Sequence, residues 1–405
     1  MPSSQPVPAP SVPEDSATPS TKPRFLGVDV TRGIALLSML AADTFDIVDD
    51  RNNPTLAGMT VTGRSATLFV MVAGISLAFI TGGRDPVHGL TRRAAAVGLA
   101  VRALLIAAVG LALGYAAPDS FEVILPYYGL FFLLAIPLVG LRPRTLIGIA
   151  GGLVVAGPLL ILGMSSLGRL EPALDTSPRL DHIFTDPIGL VLDLFVTGIF
   201  PAVVYMAYIC TGLAIGRLDL SSTKVATRLL GAGLVLAVTA WVTSSVLLFQ
   251  LGGLQHLTGA VADPGTDPAT ARNEILWDPS RVASWWWLAL RAHHTNTPVY
   301  AMHTLGVAIA VLGAVLLVTK LRVAQRLLWP VGVAGTMTLT IYSAHVLVLG
   351  TDLLKDNELV FYLVSVAGAL TFAVLWHRWV GQGPLEKMVA TISGRARQAV
   401  TDRRG

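Results

Sequence analysis

Ionisable side chains inside strongly apolar stretches are the residues of this sequence best placed to do chemistry. Asp43 lies near the end of the first such stretch, and His345 lies inside the ninth, in MTLTIYSAHVLVLG. His293 and His294 stand together just before the eighth, in RAHHTNTP. A neutral imidazole can take a proton from a hydroxyl, and a carboxylate can orient that imidazole. We therefore predict a catalytic site formed by Asp43 and His345, with His293 or His294 at its lip.

Structural roles compete with this assignment. A single histidine in an apolar helix is commonly a hydrogen-bonded packing residue, although Thr338, Tyr342 and His345 have the spacing of one helix face. Asp43, Asp46 and Asp50 have i, i+3, i+7 spacing, which places them on one helix face and predicts an acidic vestibule. The alternative is that this end of the helix simply lies in water.

The elements that must position these residues are membrane helices. A spanning helix needs about 20 mostly apolar residues, and ten stretches of the sequence meet that requirement. They lie near 29–48, 65–81, 95–116, 121–140, 145–164, 190–216, 227–249, 298–319, 327–350 and 358–380. The connections between most of them are short, which predicts an all-α integral membrane protein with a single helical bundle.

Charge sorting between the stretches predicts the topology. Cytoplasmic connections are enriched in Lys and Arg. With both termini in the cytoplasm, the inner side carries 21 of the 29 basic residues and 7 of the 25 acidic ones. We therefore predict about ten transmembrane helices with cytoplasmic termini in the cell membrane. The domain boundaries follow: a disordered cytoplasmic tail at 1–23, a multispanning domain at 24–390 and a basic cytoplasmic tail at 391–405.

Composition excludes several classes of function. The chain is 53% hydrophobic and 13% charged, and its basic residues act as topological determinants, so we expect no nucleic-acid partner. The lone cysteine, Cys210, cannot form an internal disulfide. No zinc or redox motif, P-loop or dinucleotide fingerprint is present, and no metal site is predicted. The row Trp285–Trp287 indicates a membrane interface or, alternatively, a lid or sugar-stacking element.

Two motifs in the first two stretches resemble a known family. The first is D-x-x-R-G and the second is F-x-x-x-x-G-x-S, formed here by Asp29, Arg32 and Gly33 and then by Phe69, Gly74 and Ser76. They resemble the catalytic domain of heparan-alpha-glucosaminide N-acetyltransferase and the wider transmembrane acyltransferase group with its YeiB-like bacterial proteins. Further segments resemble the YeiB-like branch: PYYG at 126–129, HHTNTP at 293–298, MTLTIYSAH at 337–345 and GPLE at 383–386.

The resemblance implies transfer of an acyl group, with acetyl favoured, from cytoplasmic acyl-CoA to an exterior glycan or glycolipid of the cell envelope. The phosphates of acyl-CoA would need inward-facing cations. The sequence offers four for this cofactor-binding role: Arg32, Arg92, Arg93 and Arg102. For Arg32 a structural ion pair with Asp29, at i, i+3, is the competing interpretation.

The sequence departs from the family pattern where the family has its exterior-loop histidine. That position, five residues before Gly58, is Asn53, which cannot act as a base. The predicted base is then Asp43 with His293, His294 or His345.

Three functions follow from these observations: an acyltransferase, a transporter or flippase of an envelope lipid or small solute without covalent chemistry, and a structural or sensor role. A transferase predicts an arginine-lined inner cavity that meets an outer cavity near Asp43. A transporter predicts paired broken helices. The sequence leaves the acyl group, the acceptor and homo-oligomerisation open.

Overall fold

The regular secondary structure of the described residues consists of helices. The computed structural model describes residues 26–402 except 50–52, 88, 119–120, 168–173, 175, 262–266, 278, 280–282, 352 and 354–356. Of the described residues, 78% are helical and none forms a strand, which confirms the all-α prediction. The predicted tail at 1–23 lies outside the described residues.

The described residues form nine α-helices in the first half of the chain. They are α1 (Leu26–Thr44), α2 (Leu56–Thr60), α3 (Arg64–Ile80), α4 (Gly89–Leu113), α5 (Leu125–Ala135), α6 (Pro143–Ser166), α7 (His182–Thr185), α8 (Pro187–Leu192) and α9 (Ala202–Ile215).

The second half contributes eight more. They are α10 (Thr223–Ser245), α11 (Gly253–Val261), α12 (Pro268–Trp277), α13 (Pro298–Val318), α14 (Arg322–Gly335), α15 (Thr338–Leu349), α16 (Glu358–Trp379) and α17 (Pro384–Asp402).

Many of these helices, alone or as bent pairs, are long and apolar enough to cross a bilayer. Among the described residues six helices are long and apolar enough, and two bent pairs pass the same test together, which gives up to eight spans. The bent pairs are Pro187–Thr197 with Ala202–Ile215, at 56°, and α14 with α15, at 71°. The two remaining predicted stretches coincide with α1 and the shorter apolar α5. The multi-pass architecture is confirmed, whereas the count of ten and the side of the termini stay predictions.

Close backbone contacts at glycines fix how the central helices pack. A Cβ on Gly33 of α1 would stand 2.0 Å from the carbonyl oxygen of Val331, and one on Gly335 would stand 2.0 Å from that of Asp29. Small residues of this kind let membrane helices approach closely. Gly33, in the first family motif, is therefore required by the contact between α1 and α14.

The glycine of the second family motif also lies at a close contact between two helices. A Cβ on Gly74 of α3 would lie 2.5 Å from the carbonyl oxygen of Ile209, and one on Gly212 of α9 would lie 2.0 Å from that of Met71. These two contacts draw α3 and α9 together at the centre of the bundle.

Two segments outside the central helices have defined structure. The long connection after α10 forms α11, α12 and a 3₁₀ turn at Trp285–Ala289, with a small core of its own around Trp287. Trp286 stacks on His256, while Trp285 is exposed. At the other end, α17 packs on α4 and continues through the predicted boundary at 390/391, and the division into a membrane domain and a basic tail stays a prediction.

Candidate functional site

A cavity of about 530 Å³, the Asp43 cavity, opens beside the end of α1. Four carboxylate side chains line it: Asp43, Asp46, Glu122 and Glu358. The sequence predicted an acidic vestibule from helical spacing, but α1 ends at Thr44 and the chain bends before Asp46. The geometric reason was therefore wrong, since Asp43 and Asp46 reach one cavity through a bend in the chain, and Asp50 lies outside the described residues.

Asp43, in the wall of this cavity, lies beside His345. The Nε2 atom of His345 is 3.9 Å from Oδ2 of Asp43, and the histidine is buried. Oδ2 of Asp43 and both ring nitrogens of His345 make no hydrogen bond with any described residue. Buried polar atoms without partners are rare in proteins, and each calls for an explanation such as a catalytic role or a bound water or ion. Only Asp43 of the two lines the cavity, so His345 stands behind the carboxylate.

The paired histidines face different cavities. His294 lines the Asp43 cavity, while His293 lines a smaller adjoining pocket, and their rings meet edge to face at 5.5 Å. His294 and Asn296 both adopt left-handed backbone conformations, with φ of 53° and 51°. Non-glycine residues adopt these angles rarely and often at functional sites. This loop geometry turns the two neighbouring side chains in opposite directions.

A second cavity, the Arg102 cavity, has a volume of about 330 Å³. Arg32 and Arg102 line it together with Glu386, and its walls include aromatic side chains such as Phe69 and Phe132. Nε of Arg102 is buried without a hydrogen-bond partner among the described residues. The cavity thus offers a cation beside an apolar wall, a combination that suits a phosphate-bearing molecule with an apolar arm.

Tyr342 connects the two cavities. This buried tyrosine of α15 lines both the Asp43 cavity and the Arg102 cavity, and α1 and α3 also contribute residues to both. The predicted face of Thr338, Tyr342 and His345 is present in α15, with Thr338 on the Arg102 cavity. One helix face therefore runs from the arginine-lined cavity to the carboxylate-lined one.

Arg32 forms the centre of a hydrogen-bonded cluster made from the two family motifs. Its guanidinium donates to Oδ1 of Asp29 at 3.2 Å, to Oγ of Ser76 at 2.6 Å and to the carbonyl oxygen of Gly335 at 3.1 Å. The cluster joins α1, α3 and the end of α14, where the chain breaks before α15. Arg32 makes the predicted ion pair with Asp29 and also lines the Arg102 cavity, and its cofactor-binding role stays a prediction.

Comparison with known families agrees with this arrangement. A family model described as heparan-alpha-glucosaminide N-acetyltransferase, catalytic, matches residues 24–251, more than half of the chain. The chain belongs to this family. No curated protein matches it. The match covers α1 to α10, and thus Asp43, Arg32 and Arg102, while His293, His294 and His345 lie beyond it. This member of the acetyltransferase family is a multi-pass membrane protein.

Two predicted cofactor arginines lie away from the Arg102 cavity of this family member. Arg92 and Arg93 are exposed near the start of α4, and neither lines that cavity. Arg92 contacts the carbonyl oxygen of Pro137 at 3.4 Å instead. Of the four predicted arginines, the structure brings together Arg32 and Arg102.

Asn53, at the position of the family's loop histidine, is exposed and does not line the Asp43 cavity. Its Oδ1 accepts a hydrogen bond of 3.2 Å from Nδ2 of Asn273 in α12. The replacement therefore leaves the carboxylates and His294 as the ionisable side chains that line the cavity.

Sequence reasoning missed a group of polar residues beside the Asp43 cavity. The hydroxyl of Tyr127, in PYYG, contacts Glu122 and lies 2.6 Å from Oδ2 of the buried Asp193. The tyrosine hydroxyl therefore links the carboxyl groups of Glu122 and Asp193. Asp193 sits in an apolar stretch, and its charge inside that stretch was the signal that could have revealed it.

Glu386 was also missed as a site residue, although GPLE was noted. Its carboxylate accepts hydrogen bonds from the backbone nitrogen and the hydroxyl of Thr340 in the first turn of α15. The carboxylate thus caps α15 and places the start of α17 at the wall of the Arg102 cavity.

Proposed function

We propose that this protein is an integral membrane acyltransferase of the cell membrane. It moves an acyl group, with acetyl the first candidate, from cytoplasmic acyl-CoA to a hydroxyl or amine of an exterior cell-envelope glycan or glycolipid. The observation that carries the proposal is Tyr342, which lines both the arginine-bearing cavity and the carboxylate-bearing cavity. A transfer across the bundle needs a donor site and an acceptor site that meet, and these two cavities meet at that residue.

The donor is assigned to the Arg102 cavity. Arg32 is largely occupied by its hydrogen bonds to three helices, whereas Arg102 has none with the described residues. Arg102 is thus the better placed of the two to bind a CoA phosphate. The apolar wall formed by Phe69, Ile106 and Phe132 suits the arm that carries the thioester.

The acceptor is assigned to the Asp43 cavity. A hydroxyl of the acceptor attacks the thioester carbonyl carbon, a C–O bond forms, the C–S bond breaks, and the sulfur leaves as the thiol of CoA. The hydroxyl proton passes to Asp43, the carboxylate at the cavity surface, and returns to the leaving sulfur. His345 lies behind the carboxylate, 3.9 Å from it, where it can orient the carboxylate when substrate binds. The thioester is already activated, so orientation and proton transfer are the main demands on the protein.

The test uses the purified protein in detergent. We expect saturable binding of acetyl-CoA, and release of free CoA thiol when an extract of envelope glycolipids is added. Transfer of label from [¹⁴C]acetyl-CoA to the extract identifies the acceptor. Absence of acetyl-CoA binding by a folded preparation would refute the assignment of the Arg102 cavity.

A transporter or flippase is the second candidate, and a specific observation favours it. The two bent helix pairs border the two cavities, since Ile199 and Phe200 at one break line the Asp43 cavity and Thr336 at the other lines the Arg102 cavity. Broken helices that line a central site are typical of transporters. In reconstituted vesicles, this alternative predicts movement of an unmodified solute or lipid without release of CoA thiol, whereas the transferase predicts a covalently acylated product.

A further inference from the structure

A third pocket adjoins the Asp43 cavity and has the opposite charge. This Arg291 pocket has a volume of about 140 Å³ and is lined by four residues with basic side chains: Arg64, Arg291, His293 and His303. Thr62 lines both the pocket and the Asp43 cavity, and the His293–His294 pair divides the two spaces. The pocket has room for one small polar group rather than for a sugar ring.

The two arginines lack the partners that would explain them as structural ion pairs. Within the described chain, neither Arg64 nor Arg291 forms a salt bridge with a carboxylate. Arg64 donates one hydrogen bond, of 2.8 Å, to the carbonyl oxygen of Met59, and Nε of Arg291 is buried without a partner among the described residues.

Holding these charges together costs free energy. Burial and the charge of Arg64 lower the pKa of Arg291 to about 10, so Arg291 keeps its charge at neutral pH in spite of the repulsion. Two like charges in a half-buried pocket are stabilised when an anion binds between them.

We propose that the Arg291 pocket binds an oxyanion, a phosphate or carboxylate group, of the acceptor. This inference rests on the proposed transferase function, because the oxyanion is assigned to the acceptor of that reaction. The guanidinium groups of Arg64 and Arg291 recognise the oxyanion, while the neutral part of the acceptor passes Thr62 into the Asp43 cavity. The carboxylates of that cavity repel an anion, so the charges of the two spaces orient the acceptor in one direction. Its reactive hydroxyl then lies toward Asp43.

The experiment measures anion binding without acyl transfer. The full-length protein in detergent is titrated with inorganic phosphate or with acetate, at an ionic strength held constant with chloride, and its melting temperature is followed. We expect the melting temperature to rise saturably with at least one of the two anions. The anion with the lower half-saturation concentration identifies the acceptor group. In Arg291→Gln and Arg64→Gln we expect that concentration to rise at least about tenfold.

Arg179→Gln is the matched control, because Arg179 packs over the ring of Tyr115 and does not line the pocket. Arg291→Lys keeps the charge without the guanidinium fork and is expected to weaken binding less than the Gln variant. Arg291→Lys also tests the pocket if the Gln variants fail to fold. A wild-type protein without saturable stabilisation overturns the proposal, as does a response that persists unchanged in the Arg64 and Arg291 variants.

The same preparations separate this proposal from the transferase function. Loss of acetyl-CoA binding with an intact anion response would refute the transferase and leave the pocket standing. Acetyl-CoA binding and transfer without any anion response would refute the pocket alone.

Discussion

The carboxylate of Asp43 lies 3.9 Å from the imidazole of His345, and only the carboxylate lines the cavity. The separation is too long for a hydrogen bond, although catalytic contacts in unliganded sites are often long and tighten when substrate binds. Sequence reasoning expected a histidine base oriented by an aspartate. The geometry favours the reverse order, because the aspartate lines the Asp43 cavity and the histidine does not.

Asp43→Asn keeps the shape of the side chain and removes its charge. Under the transferase proposal we expect turnover to fall by about 10²–10⁴-fold, because the base that takes the hydroxyl proton is lost. Acetyl-CoA binding should be unchanged, since Asp43 does not line the Arg102 cavity. Steady-state transfer and equilibrium binding, measured on one preparation, check both statements.

The control is Asp181→Asn, which changes an exposed carboxylate outside the cavity. Full activity in the double variant Asp43→Asn, His345→Ala would exclude both residues from the chemistry.

Arg102→Ala tests the donor site. We expect at least about tenfold weaker acetyl-CoA binding, because a charge-assisted hydrogen bond to phosphate is lost. Arg144→Ala, at an exposed position in the first turn of α6, is the control. Arg92→Ala and Arg93→Ala are expected to change the affinity by much less than Arg102→Ala, since neither side chain lines the cavity. Unchanged affinity in a folded Arg102→Ala variant would return Arg102 to a structural role.

Arg32→Ala should act mainly on stability. Its guanidinium joins Asp29, Ser76 and Gly335 from three helices, and its loss leaves buried partners unpaired. We expect a loss of at least about 2 kcal/mol in the free energy of unfolding, read as a lower melting temperature in detergent. Arg102→Ala, which breaks no described hydrogen bond, should melt much closer to the wild type. Equal melting temperatures for wild type and Arg32→Ala would contradict the structural role.

Cysteine labelling tests the topology, which rests on the charge sorting alone. A membrane-impermeant thiol reagent applied to intact cells should reach cysteines introduced at Asn53, Asp181 or Asp267, and it should not reach those at Val87 or Ser221. The natural Cys210 is fully buried and should stay unlabelled. Labelling at position 87 from outside would refute the ten-span topology.

The local sequence was sufficient for the class of fold. A long apolar stretch can satisfy its backbone polar groups in a bilayer only as a helix, so each predicted stretch became one helix or a broken pair. The residues of the family motifs were likewise readable in advance. The structural roles of these residues could not be read from the sequence. The contact of Gly33 with Val331 and the hydrogen bonds of Arg32 to Ser76 and Gly335 join distant parts of the chain.

Only the tertiary structure decided which ionisable residues meet. Composition places Asp43, His345 and Arg102 in apolar helices, but packing sets how each helix is rotated about its axis, and so which cavity a side chain reaches. The bend after Thr44 carries Asp46 to the Asp43 cavity, and the left-handed backbone at His294 separates it from His293. Tyr127 of α5 contacts Asp193 in the segment Pro187–Thr197, and no spacing rule predicts this contact between distant parts of the chain. Periodicity is a property of one helix, whereas a site is a property of several helices packed together.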